Sequence, residues 1–376
     1  MFTLTDETKA WIKDICNNII EKESRVIRQS DKKIPYTTVN GVFDDKYASD
    51  PSWWTNGFWI GILWLMHLKT KDLYYGELAN DLEVKMDASL YAPESIHHDV
   101  GFMWLLSSVA NYRITGNAAS RKRGLLAANS LSARFCPAAE FISAWNGADK
   151  EGWSIIDTMM NVPLLYWATE TTGYSRFKEI GMMHADKTLE NVIRPDGSAV
   201  HIIEYDLKDG SIVQTFGGQG YAVGSSWTRG QSWAIYGFAL SYLRTGEERY
   251  LAAAKRVAHY FVASVARHGY IPPVDFRSPA EPYVVDTTAG AIAACGLIEI
   301  SKHCQFEGEV YLEAAIDILK AMTDKYVDFT ENSDAILHGG SEGYHAPLRK
   351  NIDIIYGDYY YIEALFKLDG LDVCLW

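Results

Sequence analysis

Asp157 has the surroundings that a proton-donating aspartate needs. It lies in the segment IIDTMMNVPLLYWA, among isoleucine, methionine and leucine, and Asn161 follows four residues later. We expect Asp157 inside a helix rather than at its N-cap, with Asn161 on the same face. Burial disfavours the charged carboxylate and raises its pKa, which suits a general acid near neutral pH. The alternative is a structural aspartate satisfied by the backbone or by Asn161.

A second aspartate, Asp99, follows His97 and His98 directly before the apolar run GFMWLL. Two adjacent histidines can bind a metal ion, but neighbours in sequence point in different directions and no third ligand has matching spacing. Hydrogen bonding inside a polar pocket is the other interpretation of such a histidine. Like Asp286 and Asp358, Asp99 stands near an expected helix start, where a carboxylate can cap free N–H groups.

Arg229 lies in the densest polar cluster of the chain, SSWTRGQSW. Trp233 is one helical turn further on, so guanidinium and indole can stack. A guanidinium near a helix N-terminus suits a carboxylate ligand. The alternative is that Arg229 pairs with one of the aspartates at the helix starts, since a buried arginine is usually paired.

Other polar residues lie outside the expected helices. His201 and Gln219 occur in segments rich in glycine and β-branched residues, which favour loops or short hairpins. Near the end of the sequence, Tyr344 precedes Arg349 and Lys350. These residues are either loop surface or contacts for a charged substituent of a ligand.

The candidate residues are positioned by a repeat of helices. Six times a short polar cluster leads into a long apolar run, beginning at Thr55, His98, Asp157, Thr228, Asp286 and Gly357. Each run predicts a buried helix, and an amphipathic partner follows, as in ERYLAAAKRVAHYFVASVA from Glu248. Six such pairs predict an all-α fold, an (α/α)6 barrel of six inner and six outer helices with short β hairpins in the loops. The polar openings would then gather in a cleft at one end, although the periodicity also fits an open helical solenoid.

Composition limits the possible functions. No Pro/Gly/Ser-rich or charge-dense linker interrupts the 376 residues, so we expect a single domain over residues 1–376. A net charge of -13 argues against a broad nucleic-acid surface. No apolar run reaches the roughly 18 residues of a membrane helix, so no membrane partner is expected. The oligomeric state is left open.

Five dispersed cysteines without metal-type spacing indicate a reducing compartment. The N-terminal MFTLTDETKAWIKD lacks the pattern of a secretory signal. We therefore expect a cytoplasmic protein.

Seven segments in the same order make the chain similar to the unsaturated glucuronyl hydrolases of glycoside hydrolase family 88. They are WWTNGFWIGILWL, HHDVGF, SAW, IIDTMMNVPLLYWA, SSWTRGQSWAIYGFAL, DTTAGAIAACGLIEI and YGDYYYIEALF. The resemblance implies an (α/α)6 barrel and an enzyme that needs neither metal nor cofactor. Its substrates would be oligosaccharides with a non-reducing-end 4,5-unsaturated uronic acid, as lyases produce from glycosaminoglycans. The reaction would be hydration of the C4=C5 vinyl ether.

The resemblance also assigns roles. Asp157 would protonate C4 and help water add at C5, and Asp99 would be the second essential aspartate. Residues expected at the sugar pocket are Trp54, His98, Trp145, Asn161, His201, Gln219, Arg229, Trp233 and Tyr344. We assign Arg229 to the uronate carboxylate on chemical grounds. Val223 stands where relatives often carry aspartate, and residues 345–350 lack the paired serines that some members use to hold a sulfate, so a preference for sulfated substrates stays open.

Three other functions fit parts of the sequence. Unsaturated rhamnogalacturonyl hydrolases share the fold and the chemistry but lack the HHD and WTRGQSW segments in this form. A sugar epimerase on the same type of barrel would use histidines, whereas here the aspartate pair is better placed. A non-catalytic helical scaffold has no use for an aspartate within an apolar segment.

Overall fold

Six largely apolar helices form the inner layer of a ring. The computed structural model describes residues 4–30, 32–346 and 349–376. The inner helices are Asn56–Thr70, a continuous helix over 100–115, Pro163–Thr172, Thr228–Thr245, Thr287–His303 and Ile355–Leu368. The second of them runs as Val100–Trp104, a π-helical turn Leu105–Val109 and Ala110–Thr115. Almost every residue of the helix Thr287–His303 is buried, as expected for a helix enclosed on all sides.

The outer layer consists of amphipathic helices. They are Asp6–Gln29, Leu73–Lys85, Ala118–Ser132, Ser175–Asn191, Glu248–Ala266 and Gly308–Tyr326. In the helix Glu248–Ala266 the apolar stripe, which includes Leu251, Val257 and Phe261, is buried. The amphipathic pattern thus predicted which face packs on the inner layer.

The ring closes between the two ends of the described chain. The first helix, Asp6–Gln29, packs outside the last, Ile355–Leu368, and the Sγ of Cys16 lies 3.5 Å from the carbonyl oxygen of Leu365. The last helix also packs between the inner helices Thr287–His303 and Asn56–Thr70. The predicted (α/α)6 barrel is therefore confirmed, and the open solenoid is excluded.

Glycines end three of the inner helices. Gly116, Gly173 and Gly246 follow helix ends with φ angles of 75°, 76° and 75°. This left-handed conformation is easy for glycine and costly for other residues, so each glycine permits the sharp turn into the next outer helix.

Short strands and helices lie in the loops. The strand pairs Thr38–Val39 with Val42–Phe43 and Phe135–Cys136 with Phe141–Ile142 are antiparallel, and Trp153–Ile155, Ile202–Tyr205 and Ile212–Phe216 form a three-stranded antiparallel sheet. Short α-helices are Lys46–Ser49 and Asp87–Leu90, and 3-10 helices are Pro93–Ser95 and Ile156–Met160. The predicted β hairpins are thus present.

The capping interpretation of the aspartates is wrong. Asp99 and Asp286 occupy N-cap positions, but their side chains make no capping hydrogen bond. Asp358 lies within the first turn of its helix and accepts hydrogen bonds from the N–H groups of Leu337 and Ile336, at 2.7 and 3.1 Å. All three carboxylates bind groups distant in sequence, and Asp286 also accepts a hydrogen bond from the Thr288 hydroxyl of its own helix at 2.6 Å.

Within the described residues, no helix has the length and apolar character required to cross a membrane. The five cysteines all lie in the described part of the chain, and each is a free thiol.

Candidate active site

One edge of the three-stranded sheet brings three predicted site residues together. Asp157 follows the strand Trp153–Ile155, and His201 directly precedes the strand Ile202–Tyr205. The N–H of Ile156 donates to the carbonyl of His201 at 3.1 Å, and Nδ1 of His201 lies 3.0 Å from the carbonyl oxygen of Gly217. Gln219 follows two residues after Gly217, and its N–H lies 3.2 Å from Nδ1 of His201.

Asp157 lies in the 3-10 helix Ile156–Met160, so its predicted place inside the α-helix is wrong. Pro163 lies in the first turn of the third inner helix, where its ring fits and its missing N–H is not needed. The aspartate is therefore held at the mouth of the ring, partly exposed, and its covered Oδ1 has no hydrogen-bond partner among the described residues. Burial raises the pKa of Asp157 to about 7, against the opposing charge of Arg229.

Asn161 ties the two aspartates together. Its Nδ2 donates to Oδ1 of Asp99 at 3.1 Å and to the backbone oxygen of Asp157 at 3.2 Å, and its Oδ1 accepts from the N–H of Phe102 at 2.9 Å. Gly101 permits this approach, since a Cβ there would lie 2.4 Å from the Cα of Asn161. Asn161 is fully buried, so it orients the Asp99 carboxyl group and the Asp157 backbone and does not face the cleft as a predicted sugar contact would.

Burial and the neighbouring Asp157 raise the pKa of Asp99 well above its usual range, while the hydrogen bond from Asn161 opposes that rise. Two carboxyl groups this close resist ionising together. Both effects favour the protonated form of Asp99, while Asp157, with its pKa raised to about 7, titrates near neutral pH.

His97 and His98 flank Asp99. Nδ1 of His97 and Nε2 of His98 each lie 3.4 Å from a carboxyl oxygen of Asp99, and Nδ1 of His98 hydrogen bonds to Oγ1 of Thr158 at 2.9 Å. Burial lowers the pKa of both histidines, that of His97 to about 4, so both are neutral. Potential ligand atoms of His97, His98 and Asp99 lie within 4.8 Å of one another, but both ring nitrogens of His98 already face protein groups.

Arg229 is paired, as the alternative interpretation held. Its Nη1 donates to Oδ2 of Asp286 at 2.6 Å and to the carbonyl of Ser341 at 2.7 Å, and its Nη2 donates to the carbonyl of Glu342 at 2.9 Å. The guanidinium lies 4.7 Å from the ring centroid of Trp227. With only 2% of its surface exposed, Arg229 holds residues 341–342 against the inner helices.

The predicted stacking of Arg229 on Trp233 is wrong. Trp233 points into the interior, fully buried, and packs against Phe102, Tyr356 and Tyr360. It supports the floor of the ring and lines no accessible surface, which differs from its expected contact with a sugar.

Gln219 and Tyr344 come together across two loops. Nε2 of Gln219 donates to the carbonyl of Glu342 at 2.7 Å, and the N–H of Tyr344 donates to the carbonyl of Gln219 at 2.8 Å. The carbonyl of Glu342 is shared with Arg229, so Arg229 also fixes this pair of loops.

Arg349 and Lys350 lie next to these loops. Nη1 of Arg349 pairs with both carboxylate oxygens of Glu342, at 2.9 and 3.0 Å, and Nζ of Lys350 lies 5.3 Å from the ring centroid of Tyr344. Between them and residue 346, Pro347 and Leu348 lie outside the described residues.

Two tryptophans at the cleft are partly exposed and free to contact a ligand. Trp54 packs against Phe102 and Tyr356, with ring centroids 5.2 Å apart in both cases. Trp145 meets the ring of His98 edge to face at 6.0 Å.

Several contributing residues were missed in the sequence. Thr158 orients His98, Glu342 links three loops, and Tyr356 packs between Trp54 and Arg229. Only Tyr356 left a signal, as the first tyrosine of the polar cluster YGDYYY. The site as a whole presents one acid that titrates near neutrality, a second carboxyl group with a raised pKa and partly exposed indoles, which suits proton transfer to a sugar.

Known proteins with similar sequences support this chemistry. No protein-family model matches the chain. An "unsaturated glucuronyl hydrolase" of Bacillus sp. (strain GL1) is 36% identical over 86% of this chain and 89% of its own length. An "unsaturated chondroitin disaccharide hydrolase" of Streptococcus pneumoniae (strain ATCC BAA-255 / R6) is 32% identical over 91% of this chain and 90% of its own length. A solved structure described as "UGL_D88N/dGlcA-Glc-Rha-Glc" superimposes with a TM-score of 0.88 at 33% identity, covering 94% of this chain and 96% of the other. The chain therefore belongs to the unsaturated glucuronyl hydrolase family.

Proposed function

We propose that this protein is an unsaturated glucuronyl hydrolase. It removes a non-reducing-end 4,5-unsaturated uronic acid from glycosaminoglycan-type oligosaccharides by hydrating the C4=C5 double bond. The observation that carries the proposal is Asp157, a partly exposed acid whose pKa is raised to about 7, tied through Asn161 to Asp99, whose pKa is raised as well. The similarity to relatives named for glucuronyl and chondroitin disaccharide hydrolysis supports the same substrate class.

The chemistry follows from the vinyl ether. The C4=C5 electron pair takes the proton of Asp157 to form a C4–H bond, and the positive charge that develops at C5 is shared with the ring oxygen. Water adds at C5 while the Asp157 carboxylate accepts its proton. The resulting hemiketal opens by breaking the bond between C5 and the ring oxygen, and the hemiacetal left at C1 releases the aglycone as an alcohol.

The remaining residues have supporting roles in this proposal. Asp99, kept protonated, donates a hydrogen bond to a sugar hydroxyl. Trp54 and Trp145 contact ring faces, while His201, Gln219 and Tyr344 surround the uronic acid. Because Asp286 already neutralises Arg229, we give Arg229 a positioning role through residues 341–342, and its assignment to the uronate carboxylate becomes an outcome of the tests below.

The wider setting of the enzyme is also a proposal. We propose that residues 1–376 act as one catalytic domain on a small saccharide, without a nucleic-acid or membrane partner. The net charge of -13 and the inner ring contributed by helices from residue 56 to 368 support this. The five free thiols support a cytoplasmic location.

A substrate panel tests the function. Purified protein is incubated with unsaturated disaccharides from hyaluronan, chondroitin and heparin and with unsaturated oligosaccharides from pectin. Turnover removes the ultraviolet absorbance of the conjugated double bond, and mass spectrometry shows the uptake of one water. We expect turnover of the glucuronyl substrates, and a rate lower by at least about 10²-fold with the Asp157→Asn variant.

The alternatives give different results on the same panel. Activity confined to the pectin-derived substrates would indicate a rhamnogalacturonyl hydrolase. A product of unchanged mass would indicate an epimerase. Either result would overturn the proposal.

A further inference from the structure

Arg134 lies beside the site but has no part in the proposed catalytic steps. It follows the outer helix Ala118–Ser132 and is partly exposed. Its backbone oxygen accepts a hydrogen bond from the N–H of Ser143 at 3.0 Å, and its Nε donates to the carbonyl of Ser143 at 2.8 Å. The backbone and the side chain of Arg134 thus both hold the segment that leads to Trp145.

Asn146 connects Arg134 to the segment before Asp99. Nη1 of Arg134 donates to Oδ1 of Asn146 at 2.8 Å. Nδ2 of Asn146 donates to the carbonyl oxygens of Glu94 and Ile96, at 2.9 and 3.1 Å. One side-chain amide therefore accepts from the guanidinium with its oxygen and holds two backbone groups with its nitrogen, five and three residues before Asp99.

His98 is held against the same segment. The N–H of His98 donates to the carbonyl of Ala144 at 3.1 Å, and its ring meets Trp145 edge to face. Asp99 follows directly in the chain, so its carboxyl group is placed by a segment that Arg134 braces. A reacting group misplaced by about 1 Å can slow a reaction by about 10²-fold, so this bracing bears on the chemical step.

The positive charge of Arg134 also acts on Asp99. Burial and the neighbouring Asp157 raise the pKa of Asp99, whereas the hydrogen bond from Asn161 and the charge of Arg134 oppose that rise. Burial lowers the pKa of Arg134, and the charge of Asp99 opposes that shift in turn. Other titratable groups around Arg134, Asp99 and the adjacent histidines are His97, His98, His184, Asp50, Cys136 and Glu151. Removal of the Arg134 charge should therefore raise the pKa of Asp99 further.

We propose that Arg134 is a positioning residue for the reaction, which acts through Asn146 on the segment that ends with Asp99 and through its charge on the Asp99 proton. The inference rests on the proposed function. In this role Arg134 keeps Asp99 at the sugar hydroxyl and Trp145 at the ring face, and its charge limits how firmly Asp99 holds its proton.

The test is a cycle of three variants, Arg134→Gln, Asn146→Ala and the double variant. Each single substitution removes the bond between guanidinium and amide. We expect kcat for an unsaturated glucuronyl disaccharide to fall about five- to tenfold in both, with a smaller change in the Michaelis constant, at a temperature where circular dichroism shows folded protein. Because the two side chains form one link, the double variant should be about as slow as the slower single variant. An unchanged kcat in either single variant, or losses that multiply in the double variant, would overturn the inference.

A pH profile separates positioning from a general loss of structure. In Arg134→Gln the alkaline limb of kcat/KM should move to higher pH, because Asp99 and Asp157 titrate as a pair that is harder to ionise without the positive charge. Asn146→Ala and Arg134→Lys keep the charge and should keep the limb of the unaltered protein. A limb that stays in place in Arg134→Gln would count against the inference just as clearly.

Arg121→Gln is the matched control. Arg121 lies on the helix Ala118–Ser132, is also partly exposed and donates to a backbone carbonyl, that of Thr171, at 3.3 Å. Thr171 lies near the end of the third inner helix that points away from the cleft. The substitution removes the same charge and should leave kcat and the alkaline limb unchanged, and effects equal to those of Arg134→Gln would overturn the inference.

Failure of the proposed function would look different. In that case the unaltered protein turns over no unsaturated disaccharide. The link between Arg134 and Asn146 is then tested by the free energy of unfolding of the same three variants in urea. Losses that do not add in the double variant support the link, and additive losses overturn it.

Discussion

Arg229 and Asp286 form a buried ion pair inside the ring, with Nη1 2.6 Å from Oδ2. Each residue lies at the start of a different inner helix. Arg229 also donates hydrogen bonds to the carbonyl oxygens of Ser341 and Glu342, so the pair holds the loop at residues 341–342. Breaking one side of such a pair leaves an uncompensated buried charge. The pair therefore joins two helices and the loop that carries Tyr344 into one unit.

The first prediction concerns Arg229→Ala. We expect the Michaelis constant to rise about five- to tenfold, because residues 341–342 lose the anchor that positions Gln219 and Tyr344. Burial raises the pKa of Asp157 and the charge of Arg229 opposes that shift, so removing the charge raises the pKa further. The alkaline limb of kcat/KM should then move to higher pH, which a pH profile of the variant measures.

Arg256→Ala is the control for Arg229→Ala, since Arg256 is exposed on an outer helix. The substitution removes the same charge, and it should leave the Michaelis constant and the pH of the alkaline limb unchanged. A raised Michaelis constant without any movement of the alkaline limb would instead favour the direct contact between Arg229 and the uronate.

The second prediction concerns Asp157→Asn, which should lower kcat by about 10²- to 10⁴-fold, the usual contribution of a general acid. In the unaltered protein kcat/KM should fall as the pH rises through about 7, because Asp157 must be protonated to act. Steady-state rates across the pH range measure both effects. A residual rate close to that of the unaltered protein would remove Asp157 from its role.

Asp157→Asn should also change how stability depends on pH. The pKa of Asp157 is raised from its ordinary 3.8 to about 7 in the folded protein. Its stabilising contribution is therefore complete below the unfolded pKa and is lost as the pH rises through 7. The variant escapes this loss and should be more stable by about 1–3 kcal/mol under mildly alkaline conditions, as urea unfolding would show. Glu309→Gln, which changes an exposed carboxylate, should show no such gain.

The third prediction concerns Asn161→Leu. It removes the hydrogen bonds to Asp99 and Asp157 and leaves the buried N–H of Phe102 unsatisfied, which costs about 1–3 kcal/mol of stability. We expect kcat to fall about tenfold or more with a smaller change in the Michaelis constant, because misplacing the Asp99 carboxyl group and the Asp157 backbone acts on the chemical step.

Asn111→Ala is a matched control for Asn161→Leu. Asn111 is also a buried asparagine on an inner helix, and its Nδ2 donates to Asn80 and to Glu83 at 3.1 and 2.7 Å. A comparable loss of stability with unchanged kcat would separate general destabilisation from positioning. Equal effects of the two variants on kcat would contradict the role of Asn161.

The helices were predictable from sequence because their signals are local. Apolar runs after polar clusters marked the inner helices, and Gly116, Gly173 and Gly246 marked their ends. The third inner helix starts later than the pattern suggested, although Pro163 carried the information. The pattern of apolar residues did not show that the segment before this helix would adopt 3-10 geometry.

The site was less predictable, because its contacts join residues that are far apart in sequence. The spacing of Arg229 and Trp233 allowed a shared face, but the guanidinium turns toward Asp286 and the indole toward the ring's interior. Similarly, nothing near Asn161 indicated that it would bind Asp99, 62 residues away. Contacts between such distant residues depend on the closure of the ring, because closure determines which helix N-termini become neighbours.

The last prediction concerns Trp376, whose side chain fills the centre of the ring. It is fully buried, stacks on Tyr360 with centroids 5.7 Å apart and an angle of 5°, and meets Phe58 and Phe102. Its Nε1 donates to Oε2 of Glu363 at 3.0 Å. Trp376→Ala should therefore lower the free energy of unfolding by about 3–5 kcal/mol, measured by urea denaturation.

Phe306→Ala is the comparison for Trp376→Ala, because Phe306 is 87% exposed and its loss should change stability by less than about 0.5 kcal/mol. Phe102 links Trp376 to Trp54 at the cleft, so a loosened centre should also weaken the site. For Trp376→Ala we expect kcat/KM to fall even at temperatures where the variant is fully folded. If the variant is as stable and as active as the unaltered protein, neither the stability of the ring nor the activity of the site depends on the Trp376 indole.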